Sequence, residues 1–127
     1  MTTPSTYLAR ETVDRYVDFW NGRMSGEGAV TDQVRYVAPV GVLTGPEALR
    51  EFRTRFLGHV GASAEFRATG EPDLHHDRAR LRWEILVDGN RFAAGTDVLT
   101  IEPDGRVGAV TAFLDQPPAG FDPHAHD

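Results

Sequence analysis

At 127 residues the chain is sized for one domain with a real core and room for a small cavity. Hydrophobic residues at 40% and charged residues at 25% exclude a disordered chain, a fibre and a collagen-like repeat, and no apolar run is long enough to span a bilayer. A net charge of -6 argues against a nucleic-acid partner, and the absence of cysteine excludes disulfides, thiolate nucleophiles and thiolate metal sites. All thirteen basic residues are arginine, so a Schiff-base lysine is excluded as well. The opening stretch MTTPSTYLARETVDRY has no apolar signal core, which sets the expectation of a cytoplasmic protein. GxGxxG, GxxxxGK[ST], HExxH and GxSxG do not occur.

The first predicted helix runs from about Thr6 to Asn21. Ala9, Val13, Tyr16, Val17 and Trp20 recur at helical spacing, with charged residues mostly on the other side. Residues 22–32 read as a loop or one weak helical turn. Gln33 to Ala38 reads as a short strand ended by Pro39. A second helix opens at Thr44-Gly45-Pro46-Glu47, where Pro46 suits the first helical position, and its apolar stripe is Ala48, Leu49, Phe52, Phe56 and Leu57. Strands follow over Ser63–Gly70, Arg78–Val87, Arg91–Glu102 and Arg106–Asp115, with turn signals at Asp88-Gly89-Asn90 and Pro103-Asp104-Gly105. Residues 1–115 thus form one domain, and residues 116–127 form a proline-rich tail without periodicity. Helices followed by hairpin-linked strands predict an α+β fold with an antiparallel sheet covered by helices on one face.

Asp97 is the most informative residue. Strand alternation puts it on the same face as Ala93, Leu99 and Ile101, where an ionised, unpaired carboxylate costs several kcal/mol. It is therefore paired, protonated, or turned outward by a bulge. Tyr16 lies on the apolar stripe of the first helix, where a buried hydroxyl needs a partner. Trp20, Tyr36, Phe52, Phe56, Trp83 and Phe113 supply aromatic surface for a pocket or for a filled core. Glu84, Arg80 and Arg82 fall on the opposite sheet face. His75 and His76 sit in a hairpin turn, His59 near a helix end and His124 and His126 in the tail, a distribution that does not predict a metal site.

Several segments together carry a resemblance: Val13-Asp-Arg-Tyr-Val-Asp-Phe-Trp-Asn21, Ala38-Pro39-Val-Gly, Thr44-Gly-Pro-Glu-Ala-Leu-Arg-Glu-Phe52, Gly95-Thr-Asp-Val, Asp104-Gly-Arg-Val and Ala112-Phe-Leu-Asp115. This ordered set resembles the SnoaL-like and ketosteroid-isomerase-like proteins of the nuclear transport factor 2 superfamily. The resemblance implies a cone: a curved antiparallel sheet wrapped round N-terminal helices, enclosing a pocket, commonly in a dimer packed through the outer sheet face. It implies an oxyanion-hole pair in Tyr16 and Asp97, with the isomerase base position falling on Ala38, which cannot move a proton. The arginine that the epoxide-hydrolase branch carries two residues before its strand aspartate is Gly95 here. In the polyketide-cyclase branch a single pocket carboxylate promotes an aldol closure, a role open to Asp97.

The combined reading is a cofactor-free homodimer that takes a small hydrophobic or aromatic molecule. Tyr16 and Asp97 are its catalytic candidates, and Trp20, Tyr36, Phe52, Phe56, Trp83 and Phe113 its substrate-binding candidates. The alternatives are a non-catalytic ligand-binding or accessory dimer and a structural module without a pocket. Phe92, Val98, Val110 and Leu114 are out of phase with the assigned core faces and are expected to form the dimer patch.

Overall fold

The computed structural model describes residues 6–60 and 63–118. Helix α1 (Thr6–Trp20) and a short α2 (Gly26–Ala29) lead into strands β1 (Val30–Ala38) and β2 (Gly41–Thr44). Helix α3 (Pro46–Val60) follows, then β3 (Ala64–Ala68), β4 (Asp73–His75), β5 (Arg78–Val87), β6 (Asn90–Ile101) and β7 (Val107–Gln116). The seven strands form one sheet in the order β2-β1-β7-β6-β5-β3, with β4 paired to β5. The sheet is curved and unclosed, and the N-terminal helices pack against it in an α+β arrangement.

The sheet is mixed. Its other pairings are antiparallel, but β1 runs parallel to β7. A parallel pair needs a long crossover, and here everything from β2 to β6 intervenes between the two strands. Strands β2 and β4 were not expected from the sequence. Each is short, and neither carries enough alternation to declare itself.

Helix α1 packs Ala9, Val13, Tyr16 and Phe19 onto the inner sheet face, against a core that includes Leu81, Leu99, Ile101, Val107 and Val110. Phe19 is 2% exposed and joins the stripe, whereas Val17 is only half-buried. Thr12 is also fully buried on this face, and its hydroxyl donates to the Gly105 carbonyl at 2.6 Å. That bond ties the helix to the β6–β7 turn and meets the burial cost of the hydroxyl.

Three contacts position the C-terminal end of α1. The Asn21 side chain pairs with both backbone groups of Phe66 on β3, each at 2.8 Å. Arg53 on α3 donates its Nε–H to the Trp20 carbonyl at 2.7 Å. A helix end leaves carbonyls without intrahelical partners, so this guanidinium both caps α1 and fixes α3 beside it.

Two irregularities in strand pairing reorient side chains. Between β5 and β6 the register moves from Ile85↔Ala93 to Leu86↔Arg91, which leaves Phe92 as an extra residue. Phe92 packs edge-on against Phe56, with ring centroids 5.8 Å apart, and is turned inward beside Ala93. Val110 and Leu114 also lie inward: Val110 is fully buried in the core and Leu114 lines a pocket. The expected outer patch therefore loses Phe92, which a bulge turns inward, and Val110 and Leu114, which share the inward phase of Ala112 along β7. Val98 stays half-buried, and on the strand next to it Phe113, 54% exposed, alternates with the inward Ala112 and Leu114.

On the outer face, Glu84 lies beneath the Arg67 and Arg91 guanidiniums, which hold its carboxyl below the usual carboxylate range. Asp73 pairs with Arg80. Gln116 completes β7, and Pro118 lines the pocket. The rest of the expected tail, including His124 and His126, lies outside the described residues. Among the described residues no helix is long and apolar enough to cross a membrane.

Candidate functional site

A predominantly apolar pocket of about 230 Å³ lies between the end of α1, α3 and the inner sheet face. Trp20 comes from α1, Tyr36 from β1, Phe52 and Phe56 from α3, and Trp83 from β5; all five line it, as the sequence pattern suggested. Phe113 borders it as well, though much of that side chain is exposed on the far face of β7. Sequence reasoning missed Phe66, Ile85, Phe92 and Leu114 as lining residues. Phe66 and Ile85 were legible from alternation within their strands and Leu114 from its shared phase with Val110 and Ala112, whereas Phe92 depends on a register shift.

Ring geometry gives the wall its shape. Trp20 is central: its ring centroid is 5.6 Å from Tyr36, 6.3 Å from Phe52 and 6.3 Å from Phe66. Phe66 in turn lies 5.4 Å from Trp83. Offset and edge-to-face contacts of this kind add to the area these rings bury.

Tyr16 and Asp97 meet behind this wall. The Tyr16 hydroxyl donates to Asp97 Oδ2 at 2.6 Å, and the Trp83 indole donates Nε1–H to Oδ1 at 2.8 Å. Asp97 is 1% exposed and Tyr16 fully buried, and neither is among the residues that line the pocket. The inward strand phase of Asp97 follows its pairing with Leu81 and Ala112, both buried. A phenol and an indole satisfy the carboxylate, so no arginine is needed.

Burial pushes the Asp97 carboxyl up to about 6, against the stabilising pull of the Tyr16 and Trp83 hydrogen bonds. Burial, reinforced by the Asp97 charge, raises the Tyr16 and Tyr36 phenols well above their ordinary value. Tyr36 therefore senses the same carboxylate from the pocket side.

Gly95 explains how Trp83 reaches Asp97. The two are cross-strand partners, and a Cβ on Gly95 would stand inside van der Waals contact of the Trp83 ring and of the Phe113 carbonyl oxygen. Without it, the indole lies across β6 and its Nε1 meets the carboxylate two residues along. The space an arginine would need at this position is filled by an indole.

Ala38, Pro39 and Val40 line the pocket, so the position of the isomerase base does face the cavity and carries only a methyl group. Arg53 and Glu65 are the charged lining residues. While Asp97 is ionised, the one proton of Tyr16 is engaged with it and is not offered to a ligand.

No protein-family model matches the chain, and no curated protein does. Solved structures do. A proposed isomerase of the SnoaL-like family from Agrobacterium tumefaciens is 26% identical, with a TM-score of 0.75 over 87% of this chain and 99% of its own. A SnoaL-like protein of unknown function from Burkholderia thailandensis is 16% identical, with a TM-score of 0.68 over 89% and 98%. A proposed polyketide cyclase from Sinorhizobium meliloti is 18% identical, with a TM-score of 0.65 over 80% and 93%.

The curved sheet and the helices it holds define an α+β cone of the NTF2-like class. Within that class the fold of this chain is SnoaL-like.

Proposed function

We propose that this chain binds a compact, planar, hydrophobic small molecule in the aromatic pocket. The carrying observation is the wall itself: Trp20, Tyr36, Phe52, Phe66 and Trp83 surround a cavity with no carboxylate at Ala38. Pockets for drug-sized ligands run to roughly 300–1,000 Å³, so a cavity of about 230 Å³ suits one or two fused rings. Trp20 and Trp83 provide an intrinsic reporter. Titration with 2-naphthol, followed by tryptophan fluorescence and by calorimetry, is expected to give one saturable site per chain. Absence of binding up to millimolar ligand would sink this reading.

A second reading, cofactor-free proton transfer of the isomerase or cyclase type, is favoured by one observation. Asp97 is a carboxyl poised near neutrality beside a phenol, the condition a general acid–base group needs. Proposed activities of two similar folds point the same way. On this reading Trp83 swings aside to admit the substrate to Asp97. The rate would then depend on a group near pH 6, and Asp97→Asn would abolish it. A rate that is unchanged in Asp97→Asn removes Asp97 from the chemistry.

We further propose that the chain works as a homodimer joined through the outer sheet face around Phe113 and Val98. The exposed Phe113 and the half-buried Val98 on this face support it.

A further inference from the structure

An apolar pocket makes its charged lining residues conspicuous, because a charge drawn away from water needs a partner. This pocket has two, Arg53 on α3 and Glu65 on β3. Glu65 is exposed, on the outward phase of its strand, so water and salt screen its carboxylate. Arg53 is half-buried.

The Arg53 guanidinium is fixed along one edge. Its Nε–H donates to the Trp20 carbonyl at 2.7 Å. It lies close over Gly22, just past the end of α1, where a Cβ would stand 2.5 Å from Nη2. The two Nη groups have no protein acceptor and no carboxylate within ion-pair distance among the described residues. The contrast with nearby arginines is direct: Arg50, one turn earlier on α3, pairs with Glu47, and Arg67 and Arg91 share Glu84. A guanidinium is a planar fork of donors that matches the two oxygens of a carboxylate. Because the Trp20 carbonyl already holds the side chain, little rotamer freedom is left to lose when an anion binds.

Resting on the reading of this pocket as a small-molecule site, we propose that the Arg53 guanidinium binds a carboxylate on the ligand, so that the pocket selects a small planar aromatic acid. The aromatic wall takes the apolar body, and the acid group lies where the end of α1 meets α3. The Asp97 carboxylate stands behind that wall with both oxygens hydrogen-bonded, so the acid group of the ligand is met by Arg53 and not by the buried pair.

The test compares 2-naphthoate, ionised at neutral pH, with 2-naphthamide, a neutral molecule of nearly the same shape. Calorimetry on the wild type is expected to find naphthoate bound at least roughly ten-fold more tightly, the effect of hydrogen bonding to a charged group. Arg53→Gln is expected to remove that preference while leaving naphthamide within about two-fold. Arg53→Lys is expected to keep part of it, because the charge stays and the fork does not. Naphthoate bound no more tightly than naphthamide by the wild type overturns the proposal, and so does a preference that survives in Arg53→Gln.

Salt supplies a readout on the unaltered protein, one that loss of the Trp20 contact in a variant cannot imitate. Raising salt from about 0.05 M to about 0.5 M is expected to weaken naphthoate by roughly three-fold or more and to leave naphthamide within about two-fold. An equal response of the two ligands overturns the charge contact. Saturable binding of 2-naphthol or naphthamide with naphthoate excluded overturns the Arg53 site and leaves the pocket reading standing. Failure of all three to bind overturns the pocket reading itself, and the Arg53 site with it.

Discussion

The indole of Trp83 lies over Gly95 and donates to Asp97 from the neighbouring strand at 2.8 Å. The glycine is thus what connects the pocket wall to the buried carboxylate. Trp83 lines the apolar pocket, and its indole nitrogen donates to the Asp97 of the Tyr16–Asp97 pair. Any change in this relationship should be felt in both places.

Gly95→Ala is expected to destabilise the protein by about 1–3 kcal/mol, the usual cost of overpacking. The new Cβ would meet both the Trp83 ring and the Phe113 backbone oxygen, and the backbone cannot yield cheaply. A thermal melt monitored by circular dichroism checks this. A midpoint unchanged within a degree would show that Trp83 moves freely.

Asp97→Ala leaves the Tyr16 hydroxyl and the Trp83 indole without their acceptor. At about 1–3 kcal/mol for each orphaned buried donor, the expected loss is about 2–5 kcal/mol. Asp97→Asn should cost less, because the amide oxygen accepts from Trp83 and the Tyr16 hydroxyl can turn to accept from the amide nitrogen. Urea unfolding of the two variants at pH 7 ranks them, and Asn equal to Ala would contradict the hydrogen-bond account.

The raised Asp97 carboxyl has a defined signature in pH. Its ordinary value of 3.8 becomes about 6 in the fold, so the folded state holds the proton more tightly than the unfolded chain. The resulting stabilisation is fully present below about pH 4 and is lost as pH rises through about 6. At about 1.4 kcal/mol per pKa unit the effect amounts to about 3 kcal/mol. Asp73 and Asp104 are held low, Asp73 by Arg80 and Asp104 by the Arg106 backbone and side chain, and act in the opposite sense at lower pH. The stability difference between wild type and Asp97→Asn, measured in urea from pH 4 to 7, isolates the Asp97 contribution. It should shift against the wild type as pH rises and level off above about pH 7.

Ala38→Asp places a carboxylate at the pocket where the wild type has a methyl group. Positioned general bases contribute about 10²–10⁴-fold. The wild type is expected to show negligible isomerisation of a small β,γ-unsaturated ketone, and the variant at least ten-fold more, followed by absorbance of the conjugated product. Robust wild-type activity would mean that another group serves as the base.

The homodimer proposal is tested by light scattering after gel filtration. Twice the chain mass is expected at tens of micromolar, falling to the chain mass in Phe113→Glu, which puts a charge on the half-exposed apolar face. A wild-type monomer at that concentration rules it out.

Periodicity alone placed Tyr16 and Asp97 on inward faces, and the structure joins them at 2.6 Å. It also marked five of the aromatic side chains that wall the pocket, because side-chain phase is a local property of helix and strand. The burial of Asp97 followed from the same phase, and with it the need for partners.

The identity of those partners did not follow. Trp83 reaches Asp97 only because β5 and β6 pair in the register that sets Trp83 opposite Gly95, and register is a long-range outcome. The inward turn of Phe92 depends on a bulge, and the parallel joining of β1 to β7 on a crossover through most of the chain. Tertiary packing also decided what no pattern of residues could: that the aromatic wall stands between the carboxylate and the cavity. Sequence periodicity reports which way a side chain faces. The depth at which it lies, and what stands in front of it, are set by elements far away in the chain.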